Sequence, residues 1–254
     1  QLTRRQRQMC IRDRLFSLSA ALFLLLAMLL ALYMLSISNN DQTIDTDNAG
    51  GGSFDAIKNS LQINEVRNIA SYVWIWTALM TIQWITAINI VEDWSQNSEQ
   101  RLRFFAIMEQ VISPLTLIIQ LFFTNLIIKK IGIKNILLSY GILFCIAFIL
   151  YGLIPSIISV GVVTVFLRVF EYGINKPTRE TIFSTLKKND RYKSTVFIDT
   201  FISRFGDLSG SGFIAIGKLT SIAANSLPLI AIPIAGFLSI LGIRISRNIN
   251  TKDL

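Results

Sequence analysis

Four charged residues stand inside apolar stretches of this chain: Arg168 and Glu171 in "VTVFLRVFEYGIN", Arg204 and Asp207 in "TFISRFGDLSGSG". In each pair the members are three residues apart, which puts both on one face of a helix. Isolated charge inside a membrane span is costly, so such residues pair, face a bundle interior or line a solute path. Counted from the outer ends at about 1.5 Å per residue, Arg168 lies about 16 Å deep and Asp207 about 15 Å, while Glu171 and Arg204 both lie near ~20 Å. The two helices run in opposite senses, and the depths predict a four-charge cluster of Arg168, Glu171, Arg204 and Asp207. A fixed structural network is one use of such a cluster. The other is an anionic substrate that competes for Arg168 or Arg204 and couples binding to movement.

The chain that must position these residues has 254 residues, 52% of them hydrophobic, and no histidine. Its mean hydropathy is +0.53. With apolar runs near ~20 residues long, this is the composition of a polytopic membrane protein. Zinc hydrolysis and serine–histidine catalysis lose their usual residues. Cys10 and Cys145 are far apart in sequence and support neither a disulfide framework nor a thiol metal site. The expectation is a protein that is not an enzyme and uses no cofactor or metal. The net charge of +8 falls mostly in short connections beside apolar runs, where it acts as a topology signal and not as a nucleic-acid surface.

Residues 1–14, "QLTRRQRQMCIRDR", read as a non-native, adapter-derived segment. Residues 15–38 form a transmembrane helix, and 39–68 a cytoplasmic linker with a surface helix starting near Ser53. Six apolar segments follow within 69–243, at 69–91, 104–128, 135–155, 157–183, 192–217 and 222–243, before a cytoplasmic tail at 244–254. Lys129, Lys130 and Lys134, then Lys176, Arg179, Lys187, Lys188, Arg191 and Lys193, and finally Arg244, Arg247 and Lys252 mark one side as cytoplasmic. Both ends of the six-helix unit then face inward. The fold class is an all-α membrane protein: the six-helix C-terminal half of a major-facilitator-type bundle, preceded by the last helix of an N-terminal half whose remainder lies upstream.

"NKPTRE" and "FIDTFISRFGDLSG" carry a more specific signal. They resemble the ATP/ADP translocase family of nucleotide transporters. Pro177, Thr178, Arg179 and Glu180 match that family's proline, threonine, basic, glutamate run, and Asp199 its aspartate early in the next helix. In "AINIVEDW", Asn89 and Glu92 resemble its asparagine and acidic residue at the end of the corresponding helix. The loop "TNLIIKKIGIKN" resembles the basic glycine turn of major facilitator transporters, with Lys129 where an acidic residue is usual. The resemblance implies a nucleotide or related phosphorylated anion as substrate, moved by exchange or with a proton across a bacterial inner membrane. Asp207 stands where the nucleotide exchangers usually carry a lysine, and an aspartate there repels a phosphate chain.

The substrate-binding or coupling candidates are therefore Arg168, Glu171, Arg204, Asp207, Glu92, Asn89, Arg179 and Glu180. Gly206 and Gly210 have the spacing that lets another helix approach closely. Trp76 and Trp84 could stack on a base, and Trp94 reads as an interfacial anchor. Expected partners are a small anionic solute, the lipid bilayer and the N-terminal half of the same protein, with no nucleic acid. A major facilitator transporter of another metabolite, or a membrane anchor without transport, are the other readings.

Overall fold

The computed structural model describes residues 18–19, 21–34, 63–184, 188–222 and 226–250, and among these all regular structure is helical. The chain divides into two compact units, residues 1–50 and 51–254. In the first, α1 (Ala21–Met34) is an apolar helix with exposed side chains. Segment 1–14 and the linker up to residue 62, with the surface helix expected after Ser53, lie outside the described residues. Asn64 to Asn68, assigned to that linker from sequence, instead belong to the first membrane helix of the second unit.

That unit contains α2 (Asn64–Trp94), α3 (Ser98–Ile118), α4 (Thr124–Leu153), α5 (Ile157–Phe170), α6 (Lys176–Ser184), α7 (Lys188–Phe197), α8 (Ser203–Leu219) and α9 (Leu227–Asn250). Asn97 caps α3 by accepting from the Glu99 N–H, and Ser156 caps α5 by accepting from the Ser159 N–H. Three wider turns join helices without ending them: Ile119–Phe123 between α3 and α4, Glu171–Asn175 between α5 and α6, and Ile198–Ile202 between α7 and α8. After each, an N–H bonds five residues back: Thr124 to the Ile119 carbonyl, Lys176 to Glu171, Ser203 to Ile198. Such π-type turns interrupt a helix ladder by one carbonyl and concentrate at functional sites.

Four helical stretches are long and apolar enough to cross a membrane: Val66–Trp94, Ser98–Leu153, Ile157–Ser184 and Leu227–Arg247. The chain is an all-α membrane protein. The second stretch has 56 residues. Straight, at about 1.5 Å per residue, it would run roughly 84 Å, nearly three times a bilayer core of about 30 Å. Gly132 divides it, with φ 81° and ψ 153°, a backbone state that residues bearing a Cβ rarely adopt. Lys129, Lys130 and Lys134 lie exposed around this break, at the glycine turn expected from sequence. The stretch from α7 to α8 is less apolar because Arg204, Asp207 and Lys218 interrupt it.

The core gathers around α2, with Tyr72, Tyr140, Phe144, Phe148 and Tyr151 fully buried. Helix contacts follow a two-fold pattern: α2 packs on α8 as α5 packs on α3, α2 packs on α9 as α5 packs on α4, and α4 packs on α9. Exchanging α2 to α4 for α5 to α9 in chain order maps this set of contacts onto itself. The α2–α8 contact is close because a Cβ at Gly206 would meet the Trp74 carbonyl oxygen at 2.6 Å, and one at Gly210 the Ala78 carbonyl oxygen at 2.5 Å. Close packing therefore accounts for these two glycines.

Candidate functional site

Along α2, Tyr72, Trp76, Met80 and Trp84 recur every fourth residue and so share one stripe. The stripe carries two arginines. The guanidinium carbon of Arg179 lies 4.5 Å from the ring centroid of Trp76, and that of Arg168 lies 5.1 Å from the ring of Trp84. Both are cation–π distances. Trp76 Nε1–H donates to the Tyr140 hydroxyl at 2.9 Å, and Tyr140 stacks on Phe170 with centroids 5.3 Å apart. The tryptophans considered for base stacking thus face protein cations. Their separation of eight residues places the two arginines about 12 Å apart along the α2 axis.

The first arginine belongs to a sealed polar ladder. Glu171, Asn175 and Arg179 follow at intervals of four residues through the π turn into α6, which turns them toward the same side. Arg179 Nη2–H donates to Glu171 Oε1 at 2.9 Å, Asn175 Nδ2–H to Glu171 Oε2 at 2.6 Å, and the Tyr72 hydroxyl to Asn175 Oδ1 at 3.2 Å. Glu171 is 2% exposed and Arg179 7%. Arg179, counted from sequence among the cytoplasmic loop cations, is therefore a core residue. Pairing offsets the desolvation of both charges, and removing either partner would leave the other buried and uncompensated.

The π turn and Pro177 together release two consecutive carbonyls. Lys176 N–H bonds to the Glu171 carbonyl, which leaves that of Tyr172 without its usual helical donor. Proline has no N–H, so Pro177 leaves the Gly173 carbonyl without one as well. Both are satisfied from the neighbouring pass: Gln120 Nε2–H donates to the Tyr172 carbonyl at 2.9 Å, and the Thr124 hydroxyl to that of Gly173 at 2.5 Å. Gln120 lies within the facing π turn at Ile119–Phe123, and Thr124 immediately follows it. A helix interrupted within a membrane-spanning stretch needs partners for the carbonyls it frees.

The second arginine is open. Arg168 Nη1–H bonds to Glu109 Oε1 of α3, and the two side chains are 26% and 51% exposed. They lie on a cleft of about 390 Å³ between α3 and α5 that Ser113, Thr116, Gln120 and Tyr172 also line. Thr116 Oγ1 is buried without a hydrogen-bond partner. The cleft is shallow and open on one side, and Arg168 and Glu109 are the charged groups that line it.

The four-charge cluster expected from sequence does not form. Arg168 pairs with Glu109, Glu171 with Arg179, and Arg204 Nη1–H with Asp207 Oδ2 at 3.0 Å on its own helix. Asp207 also accepts from the Thr81 hydroxyl at 3.0 Å. The matching depths were not sufficient because α8 packs on α2 while α5 packs on α3, so the helices bearing the charges have different main neighbours. Asn89 and Glu92 lie toward the end of α2, about 8 and 12 Å along the axis beyond Trp84, and neither bonds to Arg168 or Arg179. Glu180 is exposed beside the buried Arg179. Sequence reasoning missed Glu109 as a partner, although it carries the signal that singled out Arg168: one charge within an apolar run. Asn175, Gln120 and Thr124 gave no such signal, being polar but uncharged. Comparison with protein-family models, with curated proteins and with solved structures gives no match to this chain.

Proposed function

We propose that this chain forms one six-helix half of a secondary transporter of major-facilitator type, which moves a small charged solute across a bacterial inner membrane by alternating access. The observation that carries the reading is the Arg168–Glu109 pair, half open on a cleft between two passes that are both interrupted by π turns. Charge placed at membrane depth and left reachable has a use in a solute path and none in an anchor. The two-fold contact pattern supports the architecture, since such transporters are built from repeated three-helix units. Rocking of this half against a second one around a central site requires no covalent chemistry.

The motif resemblance points to a nucleotide or related phosphorylated anion as the solute. A second reading, transport of another metabolite by the same architecture, is favoured by charge balance. Arg168, Arg179 and Arg204 each already have a carboxylate partner, Glu109, Glu171 or Asp207, so these three pairs offer a polyphosphate no net positive charge. The deciding experiment is uptake of labelled ATP and ADP by cells expressing the complete protein, with and without Arg168→Ala. Saturable uptake that the substitution abolishes supports the nucleotide reading. Absence of uptake, with the protein verified in the membrane, overturns the nucleotide reading.

A further inference from the structure

We infer that the solute held in the cleft between α3 and α5 is a zwitterion, carrying a cationic group such as an ammonium beside its anionic group. The inference rests on the reading of this cleft as a solute site. Arg168 and Glu109 neutralise each other when the cleft is empty of solute. A purely anionic ligand that takes Arg168 leaves the Glu109 carboxylate beside another negative charge, and a purely cationic ligand leaves Arg168 unpaired. Either outcome leaves one charge uncompensated, which a matched ligand avoids. A zwitterion replaces both partners at once: its anionic group accepts from the Arg168 guanidinium, and its ammonium donates to the Glu109 carboxylate. No charge is left over.

Three further features fit this exchange. Trp84 covers the Arg168 guanidinium by a cation–π contact, which holds the arginine in place when its carboxylate partner is displaced. Glu109 is half exposed, so it can leave Arg168 for a ligand amine without the desolvation that locks Glu171. The volume of about 390 Å³ admits a small amino acid or an aminoalkyl phosphate.

The test is calorimetric binding to the complete protein in nanodiscs, with probes in matched pairs: 2-aminoethyl phosphate against ethyl phosphate, alanine against propionate, 4-aminobutyrate against butyrate, and ATP alone. The amine-bearing member of at least one pair is expected to bind about tenfold more tightly than its amine-free partner, the scale of one charge-assisted contact. Glu109→Gln should bring that pair to within about twofold, by removing the carboxylate that reads the amine. Arg168→Gln should weaken both members. Unfolding midpoints of the two variants establish that they are folded.

The inference is overturned if amine-free probes or ATP bind as tightly as their amine-bearing counterparts, if nothing in the set binds, or if Glu109→Gln leaves the preference intact. Binding with the stated preference, but without counterflow of the bound compound in liposomes, removes the transport reading and leaves the zwitterion site standing.

Discussion

Two arginines sit on one stripe of α2, each over a tryptophan and each with one carboxylate, yet they do different things. Arg179 and Glu171 are closed off from every side, and Asn175 and Tyr72 extend their bonds into the core. Arg168 and Glu109 have the same chemistry, but half of the glutamate lies open on a cleft. The residue types are the same in both places, and burial separates a scaffold from a site. A sealed pair holds its partners because neither can leave without stranding the other. An open pair can exchange one of them for a ligand at small cost.

Removing one sealed charge is the harshest way to break the comparison. Glu171→Ala should destabilise the protein by about 3–5 kcal/mol, because it leaves Arg179 buried without a counter-charge. Thermal unfolding in detergent measures this, and the double variant Glu171→Leu with Arg179→Met should recover most of the loss. An equally unstable double variant would mean that the ladder matters for more than its charge.

Thr124→Val should cost about 1–3 kcal/mol, since it leaves the Gly173 carbonyl without a donor. The same unfolding assay reads it, and Thr124→Ser, which keeps the hydroxyl, should stay close to the parent. Trp76→Leu and Trp84→Leu sharpen the contrast between the two arginines. Loss of a desolvated cation–π contact at Trp76 should cost about 2 kcal/mol, and loss of the more open one at Trp84 about 0.5–1 kcal/mol. Comparable values at both positions would remove burial as the distinction. Smallest of all is Glu109→Gln, expected to shift stability by less than about 1 kcal/mol. Its effect belongs to ligand binding.

The helical, membrane-spanning character of the chain was legible in its apolar runs, and the basic turn at Gly132 in a glycine ringed by lysines. The aromatic stripe of α2 was not, because Trp76 and Trp84 looked available for a ligand until Arg179 and Arg168 were seen to occupy their faces. Depth along a helix can be counted from sequence, whereas rotation and neighbour choice cannot. Arg168 and Asp207 therefore matched in depth and still chose separate partners. Arg179 failed for a related reason: a cation near the end of an apolar run reads as a loop residue until a carboxylate two turns earlier is known to share its face. The resemblance that drew attention to "NKPTRE" did lead to a structurally active segment, since Pro177 and Arg179 both act in it.

The hydrogen bonds from Gln120 and Thr124 to the carbonyls of Tyr172 and Gly173 act as a weld. Parting these two passes at that level would strip two peptide oxygens of their donors, each at a cost of about 1–3 kcal/mol. If this protein works by alternating access as proposed, the seam between them should travel as one piece. Distance measurements between spin labels on α3 and α5 near this level should give a single narrow value, with and without a bound ligand.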